Sequence, residues 1–360
     1  MVKKNNFNLD YILFIFIPIS IILGPTISLL NIILFSFYYI YQNLKIEEFK
    51  SLIKNKTILL LILLNLYLIL HTFVSLDSSI SIFRNFGFIR FIIFFIAINF
   101  FFYQNNYNIY VLKPWLIIFS IFIFDVFFER FYGTNILGYG AIDTSHGSRI
   151  VSFFKDEPIA GAYINGFLFL ILGYISLVLK KRGDFYKYFS LLFFVLFLIS
   201  VLVTGERSNT IKAILGFSIF FLFLDFFKIK FKLLFFFLII SFISLIIIKS
   251  DFLKNRYIGQ LYNNIIYEEK RDYFLENNVY IKLYRSGLSV FKNHPLIGVG
   301  NKNYRVATCG QEKSIKKDYY CSTHPHQIYI EFLAEHGIIG SLISLSIFFY
   351  LIFINLGKIV

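Results

Sequence analysis

Residues 232–248 read Lys-Leu-Leu-Phe-Phe-Phe-Leu-Ile-Ile-Ser-Phe-Ile-Ser-Leu-Ile-Ile-Ile, a single charged residue followed only by uncharged ones. A run of this length and composition predicts a membrane-spanning helix. Similar runs recur along the 360 residues, of which 58 % are hydrophobic and only 16 % charged. Since a soluble domain carries about 25 % charged residues, the composition excludes a soluble enzyme, a disordered protein and a disulfide scaffold.

Ten apolar stretches predict an all-α, polytopic membrane protein with about ten transmembrane helices. The stretches are 11–23, 26–43, 57–75, 86–103, 114–132, 158–179, 188–204, 209–227, 232–248 and 327–356. The one long interval between them predicts a long helical loop before the last helix. We therefore expect nine helices with short loops in 1–248, the loop in 249–326, and a motif helix with the last span in 327–360.

The distribution of Lys and Arg predicts which side of the membrane each connection faces. With the N-terminus inside, the inner connections carry 15 positive residues and the short outer connections carry 5. Because positive residues are retained on the cytoplasmic side, the long loop is expected to be periplasmic. The net charge of +14 is thus explained by topology. These residues stand at the ends of apolar runs, and no basic stripe indicates a nucleic-acid partner.

The arginines are distributed differently from the lysines. Of the 15 inner positive residues 14 are Lys, whereas eight of the ten arginines fall on the outer side. These eight are Arg84, Arg130, Arg149, Arg207, Arg256, Arg271, Arg285 and Arg305. Since the planar guanidinium group binds phosphate or carboxylate through two hydrogen bonds, the pattern favours anion binding at the outer face. The alternative is a set of unrelated surface arginines.

Two of these arginines stand in outer segments next to predicted spans. Arg207 lies in the turn 204–209, which is too short to extend far from the membrane and holds Arg207 at the level of a lipid diphosphate. The alternative for Arg207 is a snorkelling side chain paired with Glu206. Arg149 precedes the span at 158–179, where it either points into a membrane-facing cleft or is a solvated loop charge.

The segment that opens the last span carries the sharpest candidate for catalysis. His326 follows His324 and Pro325 at the outer end of this span. A neutral imidazole there can remove a proton from a sugar hydroxyl. The alternatives are a metal-binding pair and a buried structural histidine. No third ligand stands at a clear spacing from His324 and His326, so we expect neither a metal nor another cofactor.

Further polar residues leave alternatives open. Within the spans, His71 either packs in the bundle or lines a cavity, with packing favoured. Asp125 either lines a cavity or forms an internal network with Glu129, one helical turn on, and Arg130. The only two cysteines, Cys309 and Cys321, both lie in the outer loop, where they either form a disulfide or remain free thiols.

Taken together, the motifs resemble the bacterial O-antigen ligase and O-antigen polymerase superfamily. Residues 326–340 read His-Gln, nine further residues, and Gly-Ile-Ile-Gly. This is similar to the family signature of His, then Asn, Ser or Gln, nine positions, Gly, two positions and Gly. The stretch 293–300, Asn-His-Pro-Leu-Ile-Gly-Val-Gly, resembles a second motif, and the segments 148–157 and 204–207 resemble Arg-bearing outer loops of the family. The resemblance covers about 140–345.

The resemblance implies a metal-independent glycosyltransferase of the bacterial inner membrane whose active site faces the periplasm. Such enzymes take a glycan from undecaprenyl diphosphate. Ligases pass it to the lipid A core, and polymerases pass it to another glycan. We favour the ligase activity for this chain. The alternatives are a polymerase that uses the same donor and, from another class, a carrier of lipid-linked oligosaccharides.

Carried over residue by residue, the resemblance makes His326 the base that activates the acceptor. Arg207 becomes the diphosphate ligand, with Arg149 and Arg285 as further ligands. The supporting residues are His324, Gln327, Glu331, Gly337 and Gly340. One departure concerns the long loop, where the family has an Arg four residues before a Trp. The corresponding residues here are Tyr280 and Tyr284, and Arg285 directly follows Tyr284.

Overall fold

The computed structural model describes residues 9–43, 55–104, 109–140, 149–155, 157–180, 184–225, 227–260, 274–310 and 318–356. Every regular element in these ranges is helical. A helix pairs its own backbone N–H and C=O groups, which is what a segment surrounded by lipid requires. The predicted all-helical fold class is therefore confirmed.

Most of the described helices coincide with the apolar runs of the sequence. In chain order they are α1 (Leu9–Leu23), α2 (Pro25–Asn43), α3 (Lys56–Thr72), α4 (Ser78–Gly87), α5 (Ile89–Gln104), α6 (Lys113–Tyr132), α7 (Ala160–Lys180), α8 (Asp184–Val203), α9 (Arg207–Leu222), α10 (Ile229–Lys249), α11 (Asp251–Lys254), α12 (Val279–Asn293), α13 (Tyr304–Cys309) and α14 (Ile328–Leu356). Short 3₁₀ helices cover Ile109–Leu112 and Ser152–Phe154. A π-helix covers Asn255–Gly259 directly after α11.

Six helical segments of the described ranges are long and apolar enough to cross a membrane. They are Ser78–Gln104, Ile109–Tyr132, Ala160–Val178, Phe185–Val203, Ile229–Lys249 and Ile328–Ile354. The helices at Leu9–Leu23 and Lys56–Thr72 are apolar but shorter. The chain is thus a polytopic helical protein. The figure of about ten spans and the periplasmic side of the long loop stay predictions.

The chain folds into two compact units that alternate along the sequence. The first comprises Met1–Asn31 and Phe102–Ile266, and the second comprises Ile32–Phe101 and Tyr267–Val360. The boundaries expected at 248 and 326 concern membrane topology and stay predictions. Among the predicted site residues, Arg149 and Arg207 belong to the first unit, whereas Arg285 and His326 belong to the second.

Aromatic side chains fill the interior of the first unit around α6 and α7. The ring of Trp115 stacks on Phe14 with 4.5 Å between centroids, and its indole N–H donates to the Phe14 carbonyl at 3.1 Å. Phe119 stacks on Tyr163 at 5.1 Å between centroids. The Tyr163 hydroxyl donates to the carbonyl of Pro18 at 3.0 Å. Because buried aromatic pairs stabilise beyond their area alone, these contacts fix α6 against α7.

In the second unit, α12 and α3 both pack against α14. A Cβ at Gly287 of α12 would lie 3.1 Å from Cβ of Pro325, so α12 lies directly against the residues that precede α14. On the other helix, the Tyr67 hydroxyl donates to the carbonyl of His336 at 3.3 Å. Helix α14 is interrupted at Gly337, whose φ of 61° and ψ of −163° are not helical. The break divides α14 into a shorter N-terminal part, which directly follows the motif histidines, and a longer apolar part.

Candidate functional site

The turn that joins α8 to α9 collects three arginines in the first unit. Arg207 is the first residue of α9 and is half-buried. The guanidinium of Arg256 donates through Nε to the carbonyl oxygen of Gly205 at 3.1 Å. A Cβ at Gly205 would lie 3.3 Å from Cγ of Arg149, which places that side chain against the same turn. Two predicted arginines are therefore neighbours, and a third cation joins them.

A fourth arginine lies against an aromatic ring that contacts the turn. The guanidinium carbon of Arg130 lies 4.2 Å from the ring centroid of Phe252. The same ring faces Gly205, because a Cβ there would lie 2.8 Å from Cζ of Phe252. Gly205 has a φ of +77°, a conformation that glycine adopts at no steric cost. The bare glycine thus lets the Phe252 ring and the Arg149 side chain approach the turn closely.

Glu206, between Gly205 and Arg207 in the sequence, has hydrogen-bond partners outside the turn or at its far end. Its carboxylate accepts from the backbone N–H of Gly161 at 2.6 Å and from Nδ2 of Asn209 at 2.6 Å. Gly161 is the second residue of α7, where free N–H groups and the helix dipole favour a negative charge. Burial raises the pKa of Glu206, and these hydrogen bonds and Arg149 oppose the rise. The structure thus gives Glu206 the N-terminus of α7 as its partner instead of Arg207.

Two buried carboxylates of α6 hold the loop that follows Arg149. Glu129 accepts from the backbone N–H of Val151 at 3.1 Å and of Ser152 at 2.6 Å. Asp125 accepts from the Ser152 hydroxyl at 2.5 Å and from the N–H of Ile136 at 2.9 Å. Ser152 has a φ of +50°, a strained conformation that persists only where its surroundings enforce it. Asp125 and Glu129 therefore act together, and their network anchors the segment that carries Arg149.

The same segment is also tied to the arginine turn itself. The N–H of Ile150 donates to the carbonyl of Thr204 at 3.3 Å. Arg149 therefore stands one residue from a direct backbone contact with the turn. Its two sequence-based alternatives, a side chain in a membrane-facing cleft and a solvated loop charge, stay predictions.

In the second unit, His326 lies beside two other rings. Its centroid is 4.1 Å from that of His324 and 5.9 Å from that of Tyr280, which stands at 85° to it. The His326 side chain is exposed, and its φ is +56°. Limited desolvation and the neighbouring His324 lower the pKa of His326, while Glu331 opposes this shift. The lowered pKa keeps the imidazole neutral at neutral pH, the form that can accept a proton.

Gln327 and Glu331 organise the start of α14. The side-chain oxygen of Gln327 accepts from the N–H of Ile330 at 2.7 Å, which caps the helix, and its carbonyl accepts from the N–H of Glu331 at 2.9 Å. The carboxylate of Glu331 pairs with Nζ of Lys302 at 2.5 Å. On the other side of His326, the Thr323 hydroxyl hydrogen-bonds Nδ1 of His324 at 2.9 Å. These contacts fix the backbone on both sides of His326.

The glycines of the two sequence motifs meet at the break in α14. The N–H of Ile338 donates to the Pro295 carbonyl at 2.9 Å, and the N–H of Gly300 donates to the Glu335 carbonyl at 2.9 Å. A Cβ at Gly337 would overlap the backbone of the segment 295–300. The same holds in reverse for a Cβ at Gly298, which would overlap the backbone of α14 at Glu335. These two glycines therefore allow two chain segments to pair backbone to backbone.

Other motif residues support this pairing. His71 of α3 donates through Nε2 to the carbonyl of Ile297 at 2.6 Å, so His71 is a hydrogen-bonded packing residue, the alternative favoured by the sequence. A Cβ at Gly340 would lie 2.6 Å from Cβ of His336 and would overlap the Tyr67 hydroxyl. Gly340 is thus required by the close approach of α3 to α14.

The cysteines lie in the segment that leads to the histidines. Cys309 and Cys321 form a disulfide, with their Cα atoms 4.6 Å apart. The N–H of Tyr320, the residue before Cys321, donates to the hydroxyl of Ser286 on α12 at 2.9 Å. The hydroxyl of Tyr304 also donates to Ser286 at 2.8 Å. This part of the loop is thereby attached to α12.

Arg285 is exposed on α12 in the second unit, and its role as a diphosphate ligand stays a prediction. Arg256 contacts Gly205 across 51 residues of sequence, and the sequence marked it only as one of eight outer arginines. Within the described ranges, no three His, Cys, Asp or Glu side chains are grouped so that they could hold a metal ion.

Comparison with known proteins gives a family match for part of the chain. Residues 192–345 match the model of a family described as O-antigen ligase. No curated protein and no solved structure matches the chain. The matched range contains Arg207, Arg256 and His326 as well as both glycine motifs. The match confirms the resemblance to the O-antigen ligase and polymerase superfamily over residues 192–345, and the six long apolar helices of the described ranges fit a multi-pass membrane protein.

Proposed function

We propose that this protein is an O-antigen ligase-type glycosyltransferase that moves a glycan from undecaprenyl diphosphate to the lipid A core at the periplasmic face of the inner membrane. The observation that carries the proposal is the cluster of Arg149, Arg207 and Arg256 around one turn. The carboxylate inside that turn, Glu206, is engaged by the N-terminus of α7.

The arginine cluster fits the charge of a diphosphate leaving group. As the bond to the sugar breaks, negative charge grows on the diphosphate oxygens. Guanidinium groups bind such oxygens through paired, charge-assisted hydrogen bonds. Groups that are already fixed in place stabilise developing charge without having to reorganise during the reaction. The network of Asp125 and Glu129 supplies this fixation for the Arg149 segment.

His326 supplies the other chemical requirement, a base for the acceptor. The imidazole takes the proton from the acceptor hydroxyl while the hydroxyl oxygen attacks the anomeric carbon and the diphosphate leaves. General-base assistance of this kind contributes about 10²–10⁴-fold. A single displacement inverts the configuration at the anomeric carbon. The proposed reaction uses no metal and no cofactor.

The proposal is tested with the purified full-length chain, an undecaprenyl-diphosphate-linked glycan and a lipid A core acceptor. We expect glycan on the lipid A core and released undecaprenyl diphosphate, both identified by mass spectrometry. Longer glycan on undecaprenyl diphosphate would replace the ligase by a polymerase. In vesicles, movement of unchanged donor lipid without any product would contradict a transferase and support a carrier.

A further inference from the structure

We propose that Tyr280 is a sugar-binding residue that stacks against a pyranose ring of the acceptor beside His326. This inference rests on the proposed function, because it assigns the site next to the proposed base to the acceptor. It adds a binding residue at a position where the family's long loop has an Arg and this chain has a tyrosine. The ligand class is a carbohydrate ring with one apolar C–H face and hydroxyls at its edge.

The position of Tyr280 on α12 is fixed although its side chain is open to solvent. Asn278 caps the helix, and its side-chain oxygen accepts from the N–H of Tyr280 at 2.9 Å. Tyr280 stands at helical spacing before Leu283 and Val290, which are 2 % and 0 % exposed, yet Tyr280 itself is 55 % exposed. The buried face of α12 thus ends in a rigidly placed ring with accessible surface.

Polar groups surround this ring in a way that suits a sugar. The Tyr280 ring makes an edge-to-face contact with His326 at 5.9 Å between centroids. The His324 ring lies next to that of His326 and is tilted to it, and Thr323 hydrogen-bonds His324. Binding sites for small ligands combine an apolar or aromatic surface with a few placed polar groups. Here a tyrosine ring of α12, two imidazoles and a hydroxyl group come together in the second unit.

The acceptor is favoured over the donor glycan by the chemistry of the neighbouring imidazole. The base must lie within hydrogen-bond reach of the hydroxyl that it deprotonates, and that hydroxyl belongs to the acceptor. Rings that contact each other have centroids about 4.5–7 Å apart. A pyranose stacked on Tyr280 therefore brings its edge hydroxyls close to His326, which is in contact with the same tyrosine.

The first test measures transfer at varied acceptor and fixed donor, and then the reverse. We expect Tyr280→Ala to raise KM for the acceptor about three- to tenfold, the worth of an aromatic contact, without changing KM for the donor. Tyr280→Trp should retain a low acceptor KM, whereas Tyr280→Leu should not. Tyr41→Ala, which removes an 81 % exposed tyrosine of α2 in the same unit, serves as the control. A donor KM that rises instead, or an acceptor KM restored by Leu, would overturn the proposal.

The second test separates this inference from the proposed function. Binding of the deacylated lipid A core oligosaccharide is measured by saturation-transfer NMR without donor. We expect the wild type and Tyr41→Ala to bind it and Tyr280→Ala to bind it more weakly. If the wild type binds the oligosaccharide but transfers nothing, the proposed function fails while the binding site stands. If Tyr280→Ala binds as well as the wild type, the site is wrong whatever the enzyme does.

Discussion

At the residue scale, Glu206 in the arginine turn takes its hydrogen bonds from outside the turn. Glu206 and Arg207 are adjacent in sequence, but the carboxylate turns toward the N-terminal amides of α7. A carboxylate paired with Arg207 would compete with a diphosphate for the same guanidinium group. Because Glu206 is satisfied by backbone N–H groups and by Asn209, it can stay buried without neutralising its neighbour. Glu206 therefore takes its hydrogen bonds from α7 and Asn209, and Arg149 is the cation that acts on its charge.

Arg256 tests whether this surface binds the donor. Replacing Arg256 with Ala removes a cation and its hydrogen bond to Gly205. The contact that matters for binding is the one proposed between this guanidinium group and the donor diphosphate. Since a hydrogen bond to a charged group contributes about 1.5–3 kcal/mol, KM for the donor, measured by steady-state transfer, should rise about 10- to 100-fold. Arg305→Ala is the matched control, because Arg305 is an exposed arginine of α13 in the second unit. Equal effects of the two substitutions would argue against a specific role for Arg256.

His326→Ala tests the proposed base. The variant should insert into the membrane and bind the donor as the wild type does, while the transfer rate falls by about 10²–10⁴-fold because general-base assistance is lost. Membrane fractionation and donor binding are measured beside the rate. His294→Ala, which removes another histidine of the second unit, is the control for general effects of losing an imidazole. Normal product formation by His326→Ala would remove His326 from catalysis.

The pH dependence of transfer should report the environment of His326. Because the neutral imidazole is the active form, the rate should fall as pH drops through the pKa of His326, which His324 and limited desolvation hold below its usual value. Lys302 pairs with Glu331, so Lys302→Met leaves the Glu331 charge less neutralised. The pKa of His326 should then rise, and the acidic limb of the pH–rate profile should move to higher pH. Lys292→Met, on α12, is the control, and an unmoved limb would contradict this electrostatic link.

At the element scale, the break in α14 shows which part of the site the sequence could predict. The spacing of His326, Gly337 and Gly340 was recognisable as a motif, and the apolar run predicted a helix there. The pairing of the break with the segment 295–300 was not predictable. It depends on backbone hydrogen bonds between residues about 40 positions apart, such as that from Ile338 to Pro295. Periodicity reports local structure, whereas these contacts are decided by tertiary packing.

Gly337→Ala tests the break. An alanine at a φ of 61° costs about 1–3 kcal/mol in backbone strain, and its Cβ would overlap the backbone at Leu296. We expect a lower unfolding temperature in detergent and a loss of transfer. Gly166→Ala in α7 is the matched control, since a Cβ there meets no atom within 4 Å and an alanine in a helix interior is stabilising by about 0.5–1 kcal/mol. A Gly337→Ala protein as stable as the wild type would mean that the break tolerates a side chain.

At the scale of the whole molecule, composition predicts the class of protein but not the number of spans. Apolar runs mark where helices form, yet a span needs about 20 residues. Helix α9 ends at Leu222 after 16 residues, although its apolar run continues to about 227. Composition also gives no sign that the chain alternates between two units, because that division depends on which helices pack together. The arginine count on the outer side indicated the cation cluster, whereas the contact of Arg256 with Gly205 required the fold.

Topology itself can be measured with single cysteines, because the two native cysteines are joined in a disulfide and leave no free thiol in the described chain. Lys292→Cys places a thiol on α12, and Lys228→Cys places one directly before α10. Both positions are exposed. Since Lys-rich connections are retained in the cytoplasm, a membrane-impermeant maleimide added to intact spheroplasts should label Lys292→Cys, and should label Lys228→Cys only after permeabilisation. The reverse pattern would put the motif histidines on the cytoplasmic side, where a periplasmic donor could not reach them.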